Sequence, residues 1–217
     1  MVTALTEGRH AAEFVLAEAN HLRSRDKITI KSGAGVVAPG TVVGKVAVGA
    51  ATPAAVAGNT GTGTIASATV GAGAKVGVYR ATCIEPATDA GKFLVEDPDG
   101  IAVGTATVAV AFTGGGLTFT ITDATDFVSG DAFTITVAAG AGTYVPAPAA
   151  AAADGSNVAL AITLYGVDAT SAAVDVAAIV RSAEVNGNLL TYESTVDDAT
   201  KKGVKATQLA AVGIIVR

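Results

Sequence analysis

The chain carries two histidines, His10 and His21, and a single cysteine, Cys83. A Ser-His-Asp or Cys-His device needs an imidazole held beside its nucleophile by a rigid framework. Both imidazoles fall within the first 26 residues, the stretch least marked by turn signals, so solvent-exposed histidines are expected and no catalytic residue is assigned. Glu96-Asp97-Pro98-Asp99-Gly100 together with Asp89, and the run DATDFVSGD with Asp123, Asp126 and Asp131, offer hard oxygen donors of the kind calcium takes. Neither matches the twelve-residue helix-flanked loop, and Asp before Gly or Pro is ordinary turn chemistry, so the expectation is turns and no metal. Gly114-Gly115-Gly116 lacks the following Lys-Ser/Thr of a phosphate loop and reads as a connection between strands. Arg23, Arg25, Lys27 and Lys31 form a basic cluster with two readings, a solvated patch or a docking surface for an acidic protein partner. No enzyme signature and no cofactor motif emerges.

The elements that must position these groups are read from composition and pattern. Half of the 217 residues are hydrophobic but only 5% are aromatic, and 26 are glycine. Small residues and frequent turns point to thin β layers, because glycine weakens helix interiors and supplies positive φ at turns. Charge is unevenly spread. Residues 81–180 hold eleven acidic groups against one basic, Lys92, whereas residues 1–80 hold eight basic against four acidic. So acidic a middle disfavours a nucleic-acid partner, whose phosphates are bound by clustered Lys and Arg. One cysteine permits no internal disulfide. The start MVTALTEGRH lacks a basic region followed by an apolar one, and no uninterrupted apolar run of about 18 residues occurs, so neither a standard secretion signal nor a membrane span is expected.

Along the chain, residues 1–26 read as an arm in which Ala11, Phe14, Val15 and Leu22 fit helical spacing while EFVL alone fits a short strand. From Lys27 onward short Val-rich strands are cut by Gly and by Pro39-Gly40. Five of the six phenylalanines, at 93, 112, 119, 127 and 133, lie between Gly58 and Gly140, enough aromatic volume for a separate small core. The repeats Phe119-Thr120-Ile121-Thr122 and Phe133-Thr134-Ile135-Thr136 put Phe and Ile on one face of antiparallel hairpins, read as a sandwich. After a Pro/Ala connector come further strands and then DDATKKGVKATQLAAVGIIVR. Ser194, three residues ahead of that last stretch, and Asp197 at its start resemble a capping box, Lys201, Lys202 and Lys205 follow, Gly213 closes the helix, and Ile214 to Val216 returns to the sheet.

The segments AEFVLAEANHLRSRDKITI, SGAGVVAPGTVVGKV, YVPAPAAAADGSNVALAITLYGVDAT, AAIVRSAEVNGNLLTY and DATKKGVKATQLAAVGIIVR resemble the phage lambda-type head decoration proteins over about residues 12–48 and 143–217. The resemblance implies a mainly β chain: a β-clip-like decoration domain (27–57 and 141–217) with a short C-terminal helix and an N-terminal arm (1–26). It does not extend to the fold of the insertion at 58–140, whose own strand pattern is what reads as an inserted antiparallel β-sandwich domain. The resemblance implies a non-enzymatic, cofactor-free clamp on the outer surface of the virion's capsid. Its partners are the major capsid protein and two further copies in a homotrimer, at three-fold and quasi-three-fold positions of the expanded head, with no nucleic acid and no membrane. By position, Glu13, Phe14, Val15, Leu16, Arg23, Arg25 and Lys27 are the residues expected to meet the capsid, the arm adding a strand to a shell edge with Phe14 and Leu16 on one side and Val15 on the other. The insert, with eight acidic and three basic residues between Gly58 and Ala139, is expected to project outward. A β-rich adhesin or fibre module shares the Thr/Gly/Val composition, but leaves the charged arm and the C-terminal helix without a role.

Overall fold

A computed structural model describes residues 7–122 and 124–217, so Asp123 and the first six residues of the expected arm lie outside the described residues. In chain order the elements are β1 (Val15–Glu18), α1 (His21–Ser24), β2 (Arg25–Ile30), β3 (Gly35–Val37), β4 (Val42–Lys45), β5 (Val48–Ala55), β6 (Ile65–Val70), β7 (Gly77–Glu85) and β8 (Lys92–Glu96). They continue with β9 (Ala102–Thr107), β10 (Ala111–Gly114), β11 (Leu117–Ile121), β12 (Ala132–Ala139), β13 (Tyr144–Pro146), β14 (Ala159–Thr163) and β15 (Val167–Ala169). Then follow β16 (Val174–Ile179), β17 (Ala183–Val185), a 3-10 turn at Gly187–Leu189, α2 (Ala199–Ala211) and β18 (Ile214–Val216). The chain is mainly β, as expected, and divides into two compact units.

The first unit comprises residues 1–46, 142–151 and 156–217. Its centre is a closed barrel in the order β13-β2-β16-β14-β4, flanked by a three-stranded sheet β1-β17-β18 and a ribbon β15-β3. Alternation explains β2, where Ile28 and Ile30 are buried with Val43, Ala161, Val176 and Ala178 while Lys27 faces solvent. Gly44 is required by close approach: a Cβ there would stand 1.9 Å from the carbonyl oxygen of Ser156. A second core gathers Phe14, Val42, Ile162, Leu164, Ile179, Val185, Leu209 and Ile214. Helix α2 is capped by Asp198, whose side chain accepts from the Lys201 N–H at 2.7 Å, and not by the Ser194–Asp197 pair. Ser194 instead bonds to Glu193, so the helix begins one turn later than the capping-box reading places it. Gly213 ends it with φ of 81° and β18 follows, as expected.

The second unit holds residues 47–141 and 152–155. It begins eleven residues before Gly58, where composition shifts, because β5 pairs along β12 from Ala55↔Phe133 to Val48↔Ala139. The strands form one continuous antiparallel sheet of eight, ordered β10-β11-β6-β5-β12-β7-β8-β9. Its ends come together over a shared core: Gly104 of β9 lies against Phe112 of β10, where a Cβ would stand 2.9 Å from the ring. Inside, Phe93 meets Phe127 edge-on at 5.0 Å and Phe127 meets Phe133 at 5.7 Å. Phe133, Ile135 and Val137 of β12 face this core while Thr134 and Thr136 face out, the alternation visible in the sequence.

Candidate functional site

The acidic stretches of the second unit serve its turns. Asp97 accepts from the N–H groups of Asp99 (2.9 Å) and Ile101 (3.0 Å), and the Lys75 ammonium, 2.5 Å away, holds its carboxyl below the usual range. Asp131 is buried, which pushes its pKa up, but the N–H groups of Gly61, Thr60 and Val128 together outweigh that and hold it below 3.8. Among the described residues no three His, Cys, Asp or Glu side chains gather in a way that could hold a metal ion, and no helix is long and apolar enough to cross a membrane. Burial raises the Cys83 thiol, which takes it away from nucleophile chemistry. His10 stands 3.1 Å from Glu7 in solvent, and the side chain of His21 lies outside the described residues.

The chemistry that remains is protein binding by the segment from Arg9 to Lys31. β1 is an edge strand, paired antiparallel to β17 at Val15↔Val185, Ala17↔Glu184 and Glu18↔Ala183. The segment is tied down at both ends: Asn186 N–H donates to the Phe14 carbonyl at 2.8 Å, and Ala19 N–H donates to that of Ser182 at 3.0 Å. Phe14 is fully buried, so it belongs to the core and does not face a partner. Leu16, expected on the same side as Phe14, is 55% exposed, because a register shift between Val15 and Ala17 interrupts the alternation. Val15 is half-buried, and Glu13 is partly covered beside Arg9 at 3.5 Å.

The cations divide. Arg25 grips both oxygens of Glu18, with its Nε at 3.0 Å, and this hydrogen bonding raises its pKa. Ser24 adds a bond to Glu18 at 2.7 Å. Lys27 binds Asp175 at 2.7 Å, which raises its own pKa and lowers that of Asp175. Arg23 is exposed, and its guanidinium has no partner among the described residues. The short helix α1 also presents Leu22, 94% exposed. Leu16, Leu22, Arg23 and Lys31, whose ammonium likewise has no partner among the described residues, are therefore the groups of this segment left for a partner. Leu22, noted in the sequence for its helical spacing, was not among the residues expected to meet the capsid.

Lys205 of α2 is 2% exposed, its ammonium donating to the carbonyls of Pro148 (2.6 Å) and Asn157, and burial lowers its pKa. It fastens α2 to the connector after β13, while Gln208, which accepts from Ala159 N–H at 2.9 Å, fastens the helix to β14.

A family model described as bacteriophage lambda head decoration protein D matches residues 4–84 and 65–214. No curated protein matches the chain. Among solved structures, FlgL of Xanthomonas campestris is 22% identical over 46% of this chain and 33% of its own length, with a TM-score of 0.34. The flagellar hook junction protein FlgK of Burkholderia pseudomallei is 29% identical over 56% of this chain and 21% of its own, also at 0.34. The chain thus spans a third or less of those proteins, and likeness at that level identifies no shared fold.

Proposed function

The chain belongs to the bacteriophage lambda head decoration protein D family, and on that premise we propose that it binds the major capsid protein on the outside of the expanded head. It does so as a homotrimer at three-fold and quasi-three-fold positions, holding neighbouring shell subunits together. The carrying observation is that the family match extends over both flanks of the chain, which fold together as the first unit. The exposed Leu16 and Leu22, with Arg23 next to Leu22 in the chain and without a partner among the described residues, support contact through this segment. The role is structural: a cap that binds the expanded shell alone adds its binding free energy to that state, summed over many sites. The second unit stands away from the shell, its net charge of −5 between Gly58 and Ala139 limiting aggregation of particles.

Sedimentation with expanded and unexpanded heads tests this. The protein is expected to pellet with expanded heads only and to raise their tolerance of heat and osmotic shock; heads no tougher than bare ones refute it. Removal of residues 1–26 is unsuited to the purpose, since it takes Phe14 out of the core. Leu22→Asp leaves packing intact at a side chain 94% exposed, and is expected to weaken head binding about tenfold or more if that leucine is buried against the shell.

A further inference from the structure

The barrel is not paired along its whole circumference. β13 meets β2 at one pair, Tyr144 with Ile30, where the Lys31 N–H donates to the Tyr144 carbonyl at 2.9 Å. Alternation along a strand turns the N–H groups of Lys27 and Lys31 to the same side. On that side no strand among the described residues pairs with Lys27, and its N–H is met by the carboxylate of the preceding residue, Asp26, at 2.8 Å. A cleft of about 500 Å3 runs beside this open stretch, with Lys27, Lys45, Tyr144 and Arg181 in its walls.

The charges of the cleft are unequal. Lys27 is answered by Asp175 at 2.7 Å and Arg181 by Asp26 at 3.2 Å. Lys45, which pairs with Tyr144 across β4 and β13, has an ammonium without a partner among the described residues. An open backbone edge and an uncompensated cation are the two requirements of strand addition by an acidic chain, with main-chain hydrogen bonds supplying affinity and the side-chain pair setting register. Lysines along an edge also deter pairing with neutral or basic strands, so the same residues select among partners.

We infer that this cleft accepts an extended acidic segment of the shell subunit, which adds as a strand beside Lys27 and sets a carboxylate at Lys45. The inference rests on the capsid-binding reading and names a second contact, which adjoins the Leu22 surface through Asp26 and Lys27. On binding, the Lys27 N–H passes from Asp26 to a carbonyl of the incoming strand.

Lys45→Glu and a Lys45→p-benzoylphenylalanine photo-crosslinking variant, both in the full chain, test it on expanded heads. Lys45 is exposed, and circular dichroism checks that each variant folds. The charge reversal is expected to weaken head binding about tenfold, with a flatter salt dependence, while Lys45→Arg keeps it. Illumination is expected to join the variant to a shell peptide containing Asp or Glu. Wild-type binding with an unaffected Lys45→Glu variant, or a crosslink to a second copy of this chain only, overturns the inference and leaves the capsid reading standing. Failure of wild-type protein to bind heads removes both.

Discussion

The two units bury their β layers with different materials. The second unit fills its interior with five phenylalanines and Tyr79, whose hydroxyl donates to the Gly115 carbonyl at 2.9 Å. The first has one buried phenylalanine among Ala, Val, Ile and Leu, and it closes its periphery with discrete fasteners: Phe14 from the N-terminal segment, and Lys205 with Gln208 from α2. A core of many large rings spreads its stabilisation over many contacts, whereas one of small side chains depends on a few groups placed from afar in sequence. Small residues also let backbone segments approach closely, as at Gly44 beside the carbonyl of Ser156.

The sharpest test of that contrast is Phe14→Ala. Deleting a fully buried phenylalanine costs about 3–5 kcal/mol, and here it also unfastens β1 from β17. Native-state amide exchange is expected to accelerate across β14, β16 and β17. Equal acceleration from Phe112→Ala in the second unit, where Phe119 remains tilted against the vacated site at 5.0 Å, would remove the distinction.

Next in size is Asp131→Asn in the second unit. Three backbone N–H groups lose a charged acceptor, an expected loss of about 2–3 kcal/mol. Because the folded-state pKa of Asp131 lies below 3.8, its contribution is complete above that pH and is lost as the pH falls through the folded value. The stability difference between wild type and Asp131→Asn, followed by denaturant titration, is therefore expected to shrink in acid.

How much of this was legible in sequence differs along the same line. The ring-rich strands announced themselves, because Phe119, Ile121, Phe133 and Ile135 alternate with threonines. β5 did not: Val48–Ala55 is a run of small residues holding Pro53, without alternation, and it becomes a strand through pairing with β12. Phe14 looked like part of a free arm because nothing near it in sequence shows that β17, some 170 residues later, covers it. The burial of Lys205 has no sequence signal, because its acceptors are backbone carbonyls of a distant connector. Of the charged residues expected to meet the capsid, Arg25 and Lys27 are engaged by Glu18 and Asp175, partners that lie 7 and 148 positions away and that charge alone does not assign.

Lys205 tests whether a fastener of the first unit works through its charge or its reach. Lys205→Met fills the same volume and leaves the carbonyls of Pro148 and Asn157 without their donor, an expected cost of about 1–2 kcal/mol near neutral pH. Since burial sets the folded pKa below the ordinary 10.5, the charge is a burden on the native state at neutral pH, relieved as the pH rises through the folded value towards 10.5. Wild type is thus expected to gain on Lys205→Met with rising pH in that window; a constant difference would assign the effect to packing alone.

The smallest change runs in the opposite direction. Gly203 lies inside α2, and a Cβ there meets nothing within 4 Å. An alanine therefore adds no contact and removes the entropy cost of ordering a glycine, so Gly203→Ala is expected to stabilise the protein by about 1 kcal/mol in chemical denaturation. The gain should appear in the exchange of α2 and of β14, to which Gln208 ties it, because the helix is a fastener of the first unit and not an ornament on its surface. If Gly203→Ala protects α2 while β14 exchanges as before, then the helix closes independently of the barrel, and the view of the first unit as a small-residue core held by remote fasteners must be confined to Phe14.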